Sequence, residues 1–270
     1  MIRVRDVIHA IDRFAPFGWS CEWDNAGLQA GSPEWEVNKV GVSLDATGRA
    51  IEEAVDEGCS CLVVHHPLIF EPLRSIRTQT PLGGKLLKAM ENRLAVVAAH
   101  TNWDVSPLGV NRILGEELGL LETSPLEESN DGSWGMGLSG VLRDAMTDEE
   151  FRENLRERWA LTWIREYNIP KTFFRVAIAG GSGGDLWQAA LFKRAEVFIT
   201  ADMKYHQIME AVESGLGVVL ADHGEMERKS VPSLARLLSE NLPLEVINVD
   251  LPGFDPGYVT IPIGRRGEIG

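Results

Sequence analysis

Cysteine is scarce: Cys21, Cys59 and Cys61 are the three thiols in 270 residues. So few, and odd in number, they do not make a disulfide-built secreted fold, and they are read as reduced. Long apolar runs are missing too, and none approaches the roughly 20 residues that a membrane-spanning helix needs. Nor does the N-terminus show a basic segment followed by an apolar one and a cleavage site. The expectation is a cytoplasmic chain with no membrane partner. Positive charge is also short, with 26 Lys and Arg against 40 Asp and Glu and a formal net charge of −14. Such a surface repels polyanions, which sets aside DNA and RNA as partners. A local cationic pocket is still compatible with that balance.

What the chain does have is apolar residues, 44% of the total, enough for a real core. MIRVRDVIHAIDRF places Val4, Val7, Ile8 and Ile11 on one face of a helix and leaves His9 toward solvent. KVGVSLDA (39–46), AIEEAVDEGC (50–59) and CLVVHH (61–66) then read as a strand, a helix and a buried strand. KLLKAMENRL (85–94) is expected to be helical after a loop over 71–84, and AVVAAHTNWD (95–104) is a strand ending in polar residues. Cys59 and Cys61 sit at a helix-to-strand junction, where burial explains them better than metal binding does.

The order then recurs. RVAIAGG (175–181), DLWQAALFKR (185–194), EVFITADMKYH (196–206) and GVVLADHGEME (217–227) repeat strand, helix, strand and strand. The pattern predicts an α/β fold of two similar, intertwined units arising from a duplication, with mostly parallel or mixed sheets flanked by helices. Their expected extents are 1–124 and 125–270, with SPLEESNDGSWGMG (124–137) as the connection.

In open parallel sheets, ligands bind off the carboxyl ends of strands. His65 and His66, then His100 and Asp104, then His206, and finally His223 and Glu227 all fall at such ends. Adjacent imidazoles diverge, so His65 and His66 suit two ions side by side better than one. Pro67 keeps His66 extended. If the segment after residue 222 turns helical, His223 and Glu227 point the same way. Nitrogen and oxygen donors of these types accept zinc, iron, manganese or nickel without distinguishing them.

WDNAGLQ (23–29), VVHHPLIF (63–70), AAHTNWD (98–104), ITADMKYHQ (199–207) and ADHGEMER (221–228) resemble the signature blocks of the NIF-three-like proteins, also called GTP cyclohydrolase I type 2 homologues. The resemblance implies two intertwined α/β units, a centre of two divalent metal ions between them, and a ring-shaped homohexamer. Carried over by position, the metal ligands are His65, His66, Asp104, His223 and Glu227. One block departs from the family pattern, in which the last histidine follows Gly and precedes an aromatic residue. Here Asp222 precedes His223 and Gly224 follows it. Asp222 could then bond to a water at the site from behind the ligands.

The chemistry expected of such a centre is hydrolysis of a small-molecule substrate, an anionic one being suited to the positive spot that two cations create, through a water shared by the ions. His100 and His206 at the same rim are candidates for the proton donor. Asp24 could orient a ligand imidazole, and Lys204 is the first cation to test for a phosphate contact. AGGSGGD (179–185) lacks the Lys-Ser/Thr ending of a P-loop and reads as a tight turn. GTP ring opening is one alternative activity. A non-catalytic metal-holding scaffold acting through partners is another.

Overall fold

The computed structural model describes residues 1–130 and 132–250. Residues 251–270 of the second expected unit lie outside the described residues. β-Branched and apolar runs form the strands of two large sheets. In chain order these are β1 (Gly27–Ala30), β2 (Lys39–Asp45), β3 (Cys61–His66), β4 (Ala95–Ala98), β5 (Leu121–Ser124), β6 (Leu138–Thr147), β7 (Ile164–Tyr167), β8 (Thr172–Ile178), β9 (Val197–Thr200), β10 (Gly217–Ala221) and β11 (Glu245–Asn248).

The first sheet has five strands in the order β11, β2, β3, β4, β1, and the second has six in the order β7, β10, β9, β8, β6, β5. Each contains a parallel triplet, β2 with β3 with β4 in one and β8 with β9 with β10 in the other. The repeat seen in the sequence is therefore a repeat of topology. An antiparallel strand, β1, edges the first triplet on one side, and β6 and β7 flank the second antiparallel on both, so the sheets are mixed. Strands β4, β9 and β10 are buried along their whole length, as strands covered on both faces must be.

The sheets interlock. β5, from the first half of the chain, edges the second sheet, while β11, from the end of the described chain, runs parallel to β2 with Val246 opposite Val40. A division at residue 124 thus cuts the chain without separating the sheets. One apolar core reaches from Val4, Val7 and Ile11 through Val63 and Trp103 to Phe151, Val176 and Val219. The first helix, Val4–Asp12, buries the stripe anticipated from its spacing and leaves His9 exposed.

The helix expected over 85–94 instead spans Pro81–Glu91. Thr80 caps it by accepting a hydrogen bond from Gly83 N (3.1 Å), and Pro81 occupies a first-turn position where its missing N–H costs nothing. Two glycines in its first turns hid this start from the apolar pattern. The expected connection contains a small hairpin, Glu127–Glu128 against Gly135–Met136. All three cysteines are free, and burial raises the Cys61 thiol to about 12 and that of Cys59 to about 11, as structural thiols require. Among the described residues no helix is long and apolar enough to cross a membrane.

Candidate metal centre

The carboxyl ends of β3, β4 and β10 bring together four imidazoles, and each is anchored through Nδ1. His65 donates to the carbonyl of Ala99 (2.9 Å), His66 to Asp45 Oδ1 (2.8 Å), His100 to Asp24 Oδ1 (2.8 Å) and His223 to Asp202 Oδ2 (2.8 Å). With acceptors at every Nδ1, the proton of each neutral ring sits there and the Nε2 lone pair is left for the cleft. Asp45 reaches His66 because the two are cross-strand partners at the ends of β2 and β3.

The inward atoms meet two carboxylates. Asp104 ends the short helix Thr101–Asp104 that follows β4, and Glu227 lies on the helix His223–Arg228 that follows β10. Glu227 Oε2 stands 2.8 Å from His66 Nε2, 3.0 Å from His223 Nε2 and 3.7 Å from His65 Nε2, and Asp104 Oδ1 is 3.6 Å from His65 Nε2. Despite this crowding, His65 Nε2, Asp104 Oδ1 and Glu227 Oε2 are buried with no hydrogen-bond partner. Leaving three such atoms unsatisfied is costly unless something else binds their lone pairs. A divalent cation does so, and the donor set fits one.

Three donor groups can be drawn from the cluster: His66, His223 and Glu227; His65, Asp104 and Glu227; and His65, His66 and His100. The first two share Glu227. The first pair of groups contains the five residues carried over from the family resemblance, now gathered at one mouth between the sheets.

Electrostatics follow from the same contacts. Burial works against the His66 imidazolium, but the Asp45 and Glu227 carboxylates outweigh it and raise its pKa to about 10. The same balance, with Glu227 and Asp202, raises His223 to about 9. Burial raises the Asp104 carboxyl above its ordinary value. Glu227 is held well below the usual range, since the surrounding imidazoles overcome its burial. Asp24 falls to about 2 because hydrogen bonds from His100 and Thr101 overcome desolvation.

The turn 179–185 proves to be a wall of this site. Gly181 has φ +64°, and a Cβ there would come within 2.1 Å of Glu227 Oε1, so only glycine lets the turn close over the ligands. A cleft of about 430 Å³ opens above, lined by Trp23, Phe70, His66, His100, Met136 and Leu186 among others. Trp23 and Phe70 form an exposed aromatic rim, ring centroids 6.0 Å apart, beside His100.

Other expected residues lie elsewhere. His206 is exposed on the first turn of the helix Tyr205–Glu213, touches the Tyr205 ring, and lines neither this cleft nor the cavity beside it. Asp222 caps the helix His223–Arg228 by accepting from Glu225 N (2.9 Å), the ordinary use of Asp before a helix. Lys204 lines the neighbouring cavity. The residues that orient His66 and His223, Asp45 and Asp202, escaped the sequence reading. Their signal was an Asp just past each apolar strand.

A family model, Duf34/NIF3 (NGG1p interacting factor 3), matches residues 2–252. The chain belongs to this family. Among curated relatives it is 30% identical over 253 residues to a GTP cyclohydrolase 1 type 2 homolog of Clostridium acetobutylicum, covering 93% of this chain and 94% of that one. It is 32% identical over 256 residues to one of Methanocaldococcus jannaschii, covering 92% and 100%. The fold matches a Bacillus cereus protein related to NIF3 with a TM-score of 0.87 at 23% identity, over 96% of this chain and 99% of that one.

Proposed function

We propose that the chain is a metal-dependent hydrolase of a small molecule, with two divalent cations as cofactors and Glu227 shared between them. The observation that carries this reading is the gathering of His65, His66, His223, Asp104 and Glu227 beside a cleft open to substrate, with His65 Nε2 and Asp104 Oδ1 buried and without a hydrogen-bond partner. Two divalent ions held there would lower the pKa of bound water and stabilise the charge developing on the electrophile.

The chain's own residues supply the rest. Asp45, Asp202 and the Ala99 carbonyl fix the ligand rings before substrate arrives. His100 holds its Nδ1 proton on Asp24, which is itself tied down by Thr101 N (3.1 Å) and Thr101 Oγ1 (2.6 Å). Its Nε2 is thereby presented to the cleft, placed to pass a proton to or from the reacting group. His206 has no comparable placement. Trp23 and Phe70 give substrate an apolar edge and reduce water access.

GTP ring opening is a narrower form of this reading and draws on the relatives' names. The test is turnover of a panel of phosphoesters and nucleotides, GTP included, by metal-loaded protein. Activity that appears with two ions per chain and disappears in His66→Ala supports the hydrolase. A second reading, the non-catalytic scaffold, is favoured by the origin of the ligands in both sheets. Loaded protein that turns over nothing, and whose folding collapses when the ions are removed, establishes the scaffold instead.

A further inference from the structure

Beside the metal cleft, behind the turn 179–185, lies a second cavity of about 530 Å³ at the carboxyl ends of β9 and β10. Ser182 and Asp185 line both cavities, so the turn is a shared partition. The partition is in register with the ligands. Ser182 Oγ donates to Asp202 Oδ2 (2.7 Å), and the same oxygen accepts from His223 Nδ1 (2.8 Å).

The charges in this cavity are unevenly satisfied. Its two carboxylates are engaged, Asp202 by Ser182 and His223 and Asp185 by Gln207 Nε2 (2.5 Å). Its two cations, Arg165 and Lys204, form no salt bridge to a carboxylate among the described residues, and Arg165 lies instead over the Trp163 ring, 5.9 Å from guanidinium to centroid. Arg165 is set there by pairing of β7 with β10, opposite Leu220, and Lys204 by the start of the helix Tyr205–Glu213. In a chain of net charge −14, two cations bordering one cavity with no ion pair of their own are a local exception. A guanidinium fork and an ammonium are the groups that hold a phosphate.

We infer that this cavity is the subsite for the phosphate of an organic phosphate substrate, whose reacting group reaches past Ser182 and Gly183 into the metal cleft. The inference rests on the hydrolytic reading of that cleft and narrows its substrate class. Arg165 and Lys204 bind the phosphate, and Ser182, through its hydrogen bond to Asp202, links that cavity to His223 at the metal cleft.

The test is calorimetric titration of metal-loaded protein with inorganic phosphate at low and moderate salt, comparing the wild type with Arg165→Ala, Lys204→Ala and the double charge reversal R165E/K204E. Each single substitution should weaken phosphate binding by about tenfold, and the reversal should remove it, with metal stoichiometry and melting temperature unchanged. Glu227→Ala, which should lose both ions, should keep phosphate binding that responds to Arg165 and Lys204. Wild-type affinity in the double reversal, or no phosphate binding by wild-type protein, overturns the subsite. So does binding that vanishes with the metal and ignores both cations, because the ions alone then hold the phosphate. Phosphate binding at Arg165 and Lys204 in a protein that hydrolyses nothing on the panel would remove the hydrolase reading and leave the subsite standing.

Discussion

The indole Nε1 of Trp103 donates to Ser230 Oγ at 3.1 Å, and that hydroxyl donates in turn to the carbonyl of Glu227 at 2.8 Å. Trp103 immediately precedes Asp104, so a buried hydrogen-bond pair sets the spacing between carboxylates contributed by different halves of the chain.

Replacing Trp103 by Phe keeps most of the ring volume and removes the donor. A loss of about 1 kcal/mol in unfolding free energy is expected, together with weaker metal binding, since Asp104 and Glu227 are no longer held in register. Trp103→Ala adds a cavity and should cost about 3–5 kcal/mol. Chemical denaturation and metal titration check both. Full metal affinity in Trp103→Phe would show that the pair has no role in positioning the carboxylates.

Glu227 belongs to both of the donor groups that contain a carboxylate, and Asp104 to one of them. Glu227→Ala should therefore lose both ions, whereas Asp104→Asn should retain about one per chain. Elemental analysis of the purified variants distinguishes the cases, and two ions in Glu227→Ala would break the assignment.

The raised pKa values of His66 (about 10) and His223 (about 9) have a consequence for the metal-free protein. An unfolded imidazole titrates near 6.5, so these pairs stabilise the fold fully below about pH 6.5 and lose that contribution as pH rises through 9 to 10. Metal loading at pH 7.5 should accordingly release protons, visible as a buffer-dependent heat of binding. Constant stability of the metal-free chain between pH 6.5 and 10 would contradict the ion pairs that raise these pKa values.

Asp24 lies behind His100 and has no direct place among the metal donors. Asp24→Asn should leave metal content unchanged while lowering kcat by about 10²-fold or more, because the ring loses its fixed tautomer. An unaltered kcat would assign His100 to structure alone.

Much of this candidate site was legible in the sequence because its donor side chains sit at the ends of strong strand patterns. CLVVHH and GVVLAD announce buried strands, and the chemistry begins where they stop. Asp45 and Asp202 were harder to see, since an Asp after a strand is also an ordinary turn residue and only the spatial neighbour reveals that it faces an imidazole. His206 misled for the opposite reason. It follows its strand at nearly the right distance, but the helix that begins at Tyr205 rotates it to the surface. The start of the helix at Pro81 depended on a Thr-Pro cap, and two glycines blurred the periodicity that would have marked it.

The strand order has a consequence for biosynthesis. The first sheet receives its outer strand, β11, only after residue 248 has been made, and Asp250 then pins the end of β2 through Leu44 N (3.1 Å) and reaches Arg228 Nε (2.7 Å). A chain halted before residue 250 would lack the contact that fastens the helix bearing Glu227. Any cation bound there would meet its full set of donors, held in place, only once residue 250 has joined the first sheet's edge.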